Sequence, residues 1–576
     1  MCGIAGIVGP GADAELVARM TERLAHRGPD DHGVWSAPEV ALGHRRLSII
    51  DLSPAGHQPM VYGNYVITYN GEIYNFRELR KSLPGPFRSD SDTEVLLHLY
   101  ARDGTRCVER LEGMFAFAIW DQKSRTLFAA RDRLGIKPFY YRAAQGRFAF
   151  GSELKALLEL GRPAPDPTAI RDYFTYSYIP APKSAYDGIS KLPAGHRLLW
   201  QDGRLKIERY WMPSAEITVR DESDAEQALD SLLRTVVNAH TLADVPVGVF
   251  LSGGLDSATI TYYLKRPKTF TLGFDVANRS EADAARRVAE HLGTEHHEAT
   301  ASAIDVDAAL AAMPRLFDEP FGDSAAWSNF LISQLARREV TVALSGEGGD
   351  EIFCGYPRYW KATGSPSRLA RVLAAILPPL TPFGQSMQRR AYAGLEGIAT
   401  RFGSFTRAQL SALIHPRLLA TDYDDLWFYR QHWREDLDPI QRMRWLDLHT
   451  NLAEGLLTKV DRSSMAHSLE VRPPLLDHRL VEFALSVDPA LWVDKRKAQG
   501  KGVLRRLLEP RLPEGHLNRP KSGFGLPVRR WLRSHPALLS RASERLMAAD
   551  VLRRPIPPNF RRVWSLLVLD RWLAET

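Results

Sequence analysis

The 576-residue sequence contains only three cysteines, Cys2, Cys107 and Cys354. They are too few and too scattered for a disulfide framework or a zinc site, so a reducing, cytoplasmic setting is expected. No apolar run is long enough to span a bilayer, and the apolar stretch 1–9 lacks the basic flank of a secretory leader, so no membrane partner is expected. Charge of one sign is also scarce: 75 basic against 68 acidic side chains leave a formal net charge of +7. Basic clusters such as Arg337-Arg338, Arg389-Arg390 and Lys495-Arg496-Lys497 have no interleaved aromatics. They read as solvated faces, and nucleic acid is not expected as a partner. No internal repeat is visible. A hydrophobic content of 44% with 25% charged residues describes a soluble globular protein, and the length requires at least two cores.

The most informative stretch begins with a short buried strand, Val247, Val249, Phe250 and Leu251. It continues as Ser252-Gly253-Gly254-Leu255-Asp256-Ser257 and then as a helical run from Ala258 to Leu264, with Asp256 and Ser257 placed to cap it. Strand, glycine turn and helix start make a phosphate cradle, because the backbone approaches closely, its N–H groups point at the anion and the helix dipole assists. The Gly-Lys-Ser/Thr ending of the commoner nucleotide loop is missing. Asp256 stands there instead, and a carboxylate beside a polyphosphate needs a hard cation between them, so Mg²⁺ is the implied cofactor.

A second glycine-rich loop, Ser345-Gly346-Glu347-Gly348-Gly349-Asp350, follows the apolar Val342-Ala343-Leu344. Two such loops in one domain face one pocket. Ser345 and Gly346 then suit nucleotide, Asp350 offers a second metal carboxylate opposite Asp256, and Glu347 is left to manage protons. Around them, helical periods (229–241, 280–292) alternate with short strands (269–274), the pattern of a doubly wound parallel sheet with ligands at strand carboxyl ends.

At the other end of the chain, Cys2 directly follows the initiator methionine. Removing Met1 would expose a thiol with its own amine as general base, whose ordinary pKa of about 7.7–8.0 lies near working pH. Polar clusters follow it. His26-Arg27-Gly28-Pro29-Asp30 is a turn, and His44-Arg45-Arg46-Leu47-Ser48 puts an arginine fork, suited to a carboxylate, at a strand mouth. Asn70-Gly71-Glu72 follows the strand 65–69 and reads as a hairpin turn exposing an amide and an N–H, a good oxyanion hole, with Glu72 free to accept from an amine. Ser89 to Glu94 opens a helix over 95–100, with Asp90 as its N-cap.

These segments resemble a class II glutamine amidotransferase, an N-terminal-nucleophile hydrolase, over residues 2 to about 200. The resemblance implies stacked sheets between helices, Cys2 as nucleophile, Arg46 on the glutamine carboxylate, Asn70 and Gly71 as oxyanion hole, and Glu72 and Asp92 on the glutamine amine. Gly113-Met114-Phe115-Ala116-Phe117-Ala118 and Arg131-Asp132-Arg133-Leu134-Gly135-Ile136-Lys137-Pro138 also match and take structural roles. Beyond a polar linker at 206–224 a second domain is expected over 225–560, and as far as about residue 530 it resembles the N-type ATP pyrophosphatase domain of glutamine-hydrolysing asparagine synthetases. Further landmarks lie at 459–472, 501–505 and 518–525. That resemblance assigns the loop residues Ser252, Gly253, Gly254, Asp256 and Ser257, with Leu251, Leu272, Ser345 and Gly346, to ATP, Glu347 to proton handling and Lys501 to the acyl-adenylate; Asp256 and Asp350 remain the metal carboxylates read from the loops themselves. Pro473-Pro474-Leu475-Leu476-Asp477 departs from the family pattern, as does Cys354, where glycine is usual.

The implied reaction uses glutamine, ATP and aspartate. Cys2 releases ammonia, aspartate is adenylated with loss of pyrophosphate, and ammonia, carried through a dry internal channel, displaces AMP. The alternative is an amidotransferase of the same build acting on another carboxylate, such as a cell-wall or secondary-metabolite precursor. A β-lactam-closing relative would have no use for an intact Cys2, Arg46 and Asn70, and a non-catalytic relative would have lost Cys2, Asp256 or Asp350. A homodimer is the default assembly.

Overall fold

The computed structural model describes residues 2–274, 280–301, 306–361, 367–392, 394–402, 405–419, 422–518, 528, 531–532, 535–557 and 562–576. Met1, and 519–525 of the motif that starts at Asn518, lie outside them. The described strands form three sheets. The first is antiparallel, in the order Ser190–Lys191, Tyr140–Ala144, Arg147–Gly151, Gly3–Val8, Val40–Arg46, Asp31–Ala37. The second, also antiparallel, runs Arg204–Arg209, His196–Gln201, Thr126–Arg131, Gly113–Asp121, Tyr65–Ile73, Met60–Tyr62.

The two-residue period of these strands decides which side chains meet. Ile4 and Val8 of the first sheet and Val66, Ala116 and Ala118 of the second fill one buried apolar layer between the sheets. Ala5 and Ile7 point the other way, onto Val17 and Met20 of the helix Ala14–Glu22. Ile67 and Tyr69 likewise pack with Leu96 and Leu99 of the helix Asp92–Asp103. The result is the expected stack of two sheets between helices.

The third sheet is parallel, in the order Glu295–Ala301, Lys268–Phe274, Val247–Phe250, Val342–Leu344, Glu470–Arg472. The chain builds outward from Val247–Phe250 in one direction and then returns to its other side with Val342–Leu344. That reversal opens a crevice at the carboxyl ends of these two strands, where doubly wound sheets bind ligands. Both glycine loops leave the sheet there.

Local details differ from the sequence expectations. The helix after the first loop is Leu255–Tyr262 with Gly254 as N-cap, so Asp256 and Ser257 lie in its first turn rather than capping it. Ser91, not Asp90, caps Asp92–Asp103, its hydroxyl accepting from Thr93 N–H. Asn70-Gly71 is not a hairpin turn, for the strand continues to Ile73 and pairs Asn70 with Ala116 and Gly71 with Phe115. Between the strand Arg204–Arg209 and the helix Glu222–Ala239 the chain is largely irregular, yet it is laid down firmly. Trp211 Nε1 donates to Glu482, and the N–H groups of Thr218 and Val219 donate to the Ser486 carbonyl. The Arg131–Pro138 segment is structural: Asp132 accepts the N–H groups of Phe115, Leu134, Ile136 and Lys137, and Arg131 binds the carbonyls of Gly135, Lys137 and Leu192. No helix among the described residues is long and apolar enough to cross a membrane.

The two halves meet over buried charge. Arg27 Nη1 lies 2.8 Å from Glu153 and 2.9 Å from Asp461. Arg462 binds Asp318 at 2.6 Å and Glu153 at 3.3 Å, and Lys191 binds Glu319 at 2.5 Å. Removing one partner of such a cluster strands the other charge in low dielectric, at about 3–5 kcal/mol. Arg27→Met is therefore expected to lower unfolding free energy by about that amount in a urea titration; a loss below about 1 kcal/mol would show that water reaches the cluster.

Candidate functional site

The face alternation that builds the sheet stack also assembles the first site. Residues 2, 4 and 8 share one face of their segment, and Val66, Asn70 and Glu72 share the facing side of theirs. The backbone nitrogen of Cys2 donates to Asn70 Oδ1 at 2.9 Å, and Arg27 Nε donates to the Cys2 carbonyl at 3.1 Å. Asn70 Nδ2 is buried with no hydrogen-bond partner among the described residues, so an amide N–H beside the thiol residue is left for an oxyanion. Gly71 is required by close approach, since a Cβ there would lie 2.2 Å from the Met114 carbonyl oxygen. Burial pushes the Cys2 thiol up, with the backbone at Leu47 and the Arg46 guanidinium pulling the other way. A thiol held neutral needs a base within reach.

The remaining residues of this site are buried and already engaged. Arg46 donates to the carbonyls of Ser53 at 3.1 Å and Ile50 at 3.4 Å, and also to Asp51, so its fork is shared with its own following loop. Asp92 accepts from the Tyr69 hydroxyl at 2.8 Å and Ile73 N–H at 3.0 Å. Burial raises its pKa, with those hydrogen bonds opposing. Glu72 faces Arg472 at 3.3 Å.

The second site lies in the crevice of the parallel sheet. Gly253 has φ +70°, the left-handed turn that carries the chain from strand to helix. Ser252 Oγ accepts from Gly254 N–H at 3.3 Å and lies 3.1 Å from Ser257 Oγ, so the loop is tied internally. The two glycine loops touch: a Cβ on Gly346 would lie 2.9 Å from Asp256 Cβ, and one on Gly349 2.5 Å from Asp256 Oδ1. Leu251, just past the strand Val247–Phe250, donates its N–H to the Phe270 carbonyl of the neighbouring strand, and both it and Leu272 of that strand are buried. The Ser345 hydroxyl is buried without a hydrogen-bond partner among the described residues.

Asp256 and Asp350 converge on Lys501 Nζ, at 2.5 and 2.6 Å. Burial would lower the Lys501 pKa, but the two carboxylates outweigh it and hold the ammonium charged. A pair of carboxylates already gathered around one cation fits a hard divalent ion arriving with phosphate oxygens. Among the described residues no group of three or more acidic, His or Cys side chains could hold a metal alone.

Burial also pushes Glu347 above the ordinary carboxylate range, with Lys459 opposing and Asp323, Asp350 and Asp256 reinforcing. Such a carboxyl exchanges protons nearer neutrality. Lys459, 3.4 Å from Asp323, and Glu351, pushed up to about 8 by burial and then by Asp447 and Asp350, belong to the same cluster. Neither drew a role from the sequence; Lys459 reaches the loop from the helix Leu457–Met465, more than a hundred residues away, whereas Glu351 directly follows Asp350. Both departures from the family pattern have local accounts. Leu475 and Leu476 pack against Gly349 and Gly348 of the second loop, and Cys354 has φ +58°, where glycine is unstrained.

Comparison with known proteins covers both halves. A glutamine amidotransferase domain model matches residues 1–211, and an asparagine synthase model matches residues 228–574. Glutamine-hydrolyzing asparagine synthetase 1 of Bacillus subtilis is 34% identical, over 99% of this chain and 96% of that protein. Asparagine synthetase 3 of the same organism is 33% identical, over 91% and 87%. Amidase chry2 of Gibberella zeae is 27% identical, over 92% and 90%. With one site in each half and full-length similarity of this extent, the chain belongs to the family of glutamine-hydrolysing asparagine synthetases.

Proposed function

We propose that the chain makes asparagine from aspartate, glutamine and ATP, with a glutaminase in residues 2–205 and a synthetase in residues 225–560. The observation that carries the reading is the convergence of both glycine loops, at the reversal of the parallel sheet, on Lys501.

In the first half Cys2, freed of Met1, attacks the glutamine amide. Its own amine takes the thiol proton, and Asn70 Nδ2 with the Gly71 N–H holds the oxyanion. Arg46 holds the substrate carboxylate, while Glu72 and Asp92 hold the amine. In the second half the loop 252–257 holds the triphosphate, and Ser345 and Gly346 contact the nucleotide. A free carboxylate is a poor acyl donor, so aspartate is activated as an acyl-adenylate. Mg²⁺ bound by Asp256 and Asp350 would neutralise phosphate charge there. Lys501, whose ammonium lies between the same two carboxylates, would contact the acyl phosphate. Glu347 takes the proton that ammonia sheds on attack.

The test is product mass spectrometry with amide-labelled glutamine, ATP, Mg²⁺ and aspartate, against a control without aspartate. Labelled asparagine with equimolar AMP and pyrophosphate is expected. Glutamate formed without asparagine or AMP would overturn aspartate as the acceptor and favour another carboxylate, a question the similarity to a fungal amidase keeps open.

A further inference from the structure

Arg472 stands between the two proposed sites. It ends the strand Glu470–Arg472, in register with Leu344, and its carbonyl accepts the N–H of Ser345, the first residue of the second loop, at 2.9 Å. Its side chain is fully buried and reaches the other site. Nη2 lies 3.3 Å from Glu72 Oε1, Nε donates to Glu470 Oε1 at 2.6 Å, and Nη1 donates to the carbonyls of His240 at 2.8 Å and Leu242 at 2.7 Å. The guanidinium also lies 5.6 Å from the ring of Tyr74, two residues beyond Glu72. One residue thus holds the nucleotide loop by its main chain and a glutamine-site carboxylate by its side chain.

The charges around it are unevenly served. Glu470 has the short contact, and against burial Arg472 and Lys137 help to hold it below the ordinary carboxylate range. Glu72 has only the longer contact, and burial pushes it well above the ordinary carboxylate range, with Arg472 opposing and Glu470 and Asp92 reinforcing. Glu72 is therefore the member of the cluster short of positive charge, and an α-ammonium group supplies it.

We propose that Arg472 is a positioning residue that couples the two sites. An ammonium bound at Glu72 releases the guanidinium toward Glu470, and the shift is felt at the strand end that holds Ser345. Glutamine occupancy then changes nucleotide affinity, and by linkage nucleotide changes glutamine affinity by the same factor. The inference rests on the roles proposed above for Glu72 and the loop at 345.

The test uses the full chain carrying Cys2→Ala, which binds glutamine without hydrolysing it, with ammonia as nitrogen source. The apparent KM for ATP is measured with and without saturating glutamine. A change of roughly fivefold is expected, at the low end of common coupling. In Cys2→Ala with Arg472→Lys the ratio should fall toward one, because an ammonium cannot serve Glu470, two carbonyls and Glu72 at once. A second variant, Glu470→Gln, leaves the guanidinium to Glu72, and calorimetry should then show glutamine binding more weakly, since the substrate amine competes with a cation that has lost its other partner. The proposal is overturned if glutamine leaves the ATP KM unchanged in Cys2→Ala, if the ratio survives Arg472→Lys, or if Glu470→Gln binds glutamine as tightly as its parent. Should Arg472→Lys fail to fold, Glu470→Gln decides. Absence of any glutamine binding to Cys2→Ala, or of ammonia-driven synthesis, would overturn the proposed function instead.

Discussion

Asp256→Asn is expected to lower aspartate-dependent exchange of pyrophosphate into ATP by about 10³-fold, a loss on the scale of removing one preorganised electrostatic partner from a site where charge develops. Glutamine hydrolysis should continue. Asparagine keeps the shape of aspartate, which matters because Gly346 and Gly349 leave no room around that side chain. What changes is charge. With one carboxylate neutralised, the Lys501 ammonium rests on Asp350, and the divalent ion proposed there would lose one of its two carboxylates. Asp350→Asn should behave alike, because the two carboxylates act on one point. Radiolabelled pyrophosphate exchange measures the effect, and a variant retaining a tenth of parental exchange would remove Asp256 from the nucleotide site.

Cys2→Ala is expected to cut glutamine-dependent ammonia release by about 10⁴-fold or more, as loss of a nucleophile does elsewhere. Synthesis from added ammonia should survive, because no atom of the second site lies on that side chain. A preparation that retains Met1, identified by intact mass, should be as inactive toward glutamine as the alanine variant. Burial holds the Cys2 thiol above its ordinary pKa, so near neutrality almost none of it is thiolate, and attack needs a base. The free amine is that base only once the peptide bond to Met1 is gone. It loses its proton as pH rises through about 8, so the glutaminase kcat/KM should climb toward that pH and then level. Full glutaminase activity with Met1 in place would transfer the base role to another group.

The loops at 252 and 345 were legible from residues alone, because glycine turns after short apolar strands are set by local sterics; the stack of antiparallel sheets came with the family resemblance, since strand alternation shows that a face is buried but not which sheet covers it. The approach of Cys2 to Asn70 needed the structure, because it depends on the strand running past residue 69 to Ile73. Asn70-Gly71 misleads a local reading for a definite reason: the glycine serves the close approach of the Met114 carbonyl in the neighbouring strand, not a reversal of direction, and the approach exists only once the strands pair. The cap at Asp90 fails similarly, since Ser91 one residue later meets the helix N–H.

Only the tertiary structure decided how the sites are wired. Lys501 joins Asp256 from 245 residues away, Arg27 meets Asp461 across 434 residues, and Arg472 reaches Glu72 from the far edge of another sheet. None of these spacings has a period or a motif behind it. Each pair exists because a buried charge must find a counter-charge within a few ångströms, and which partner it finds is fixed by the packing of whole sheets.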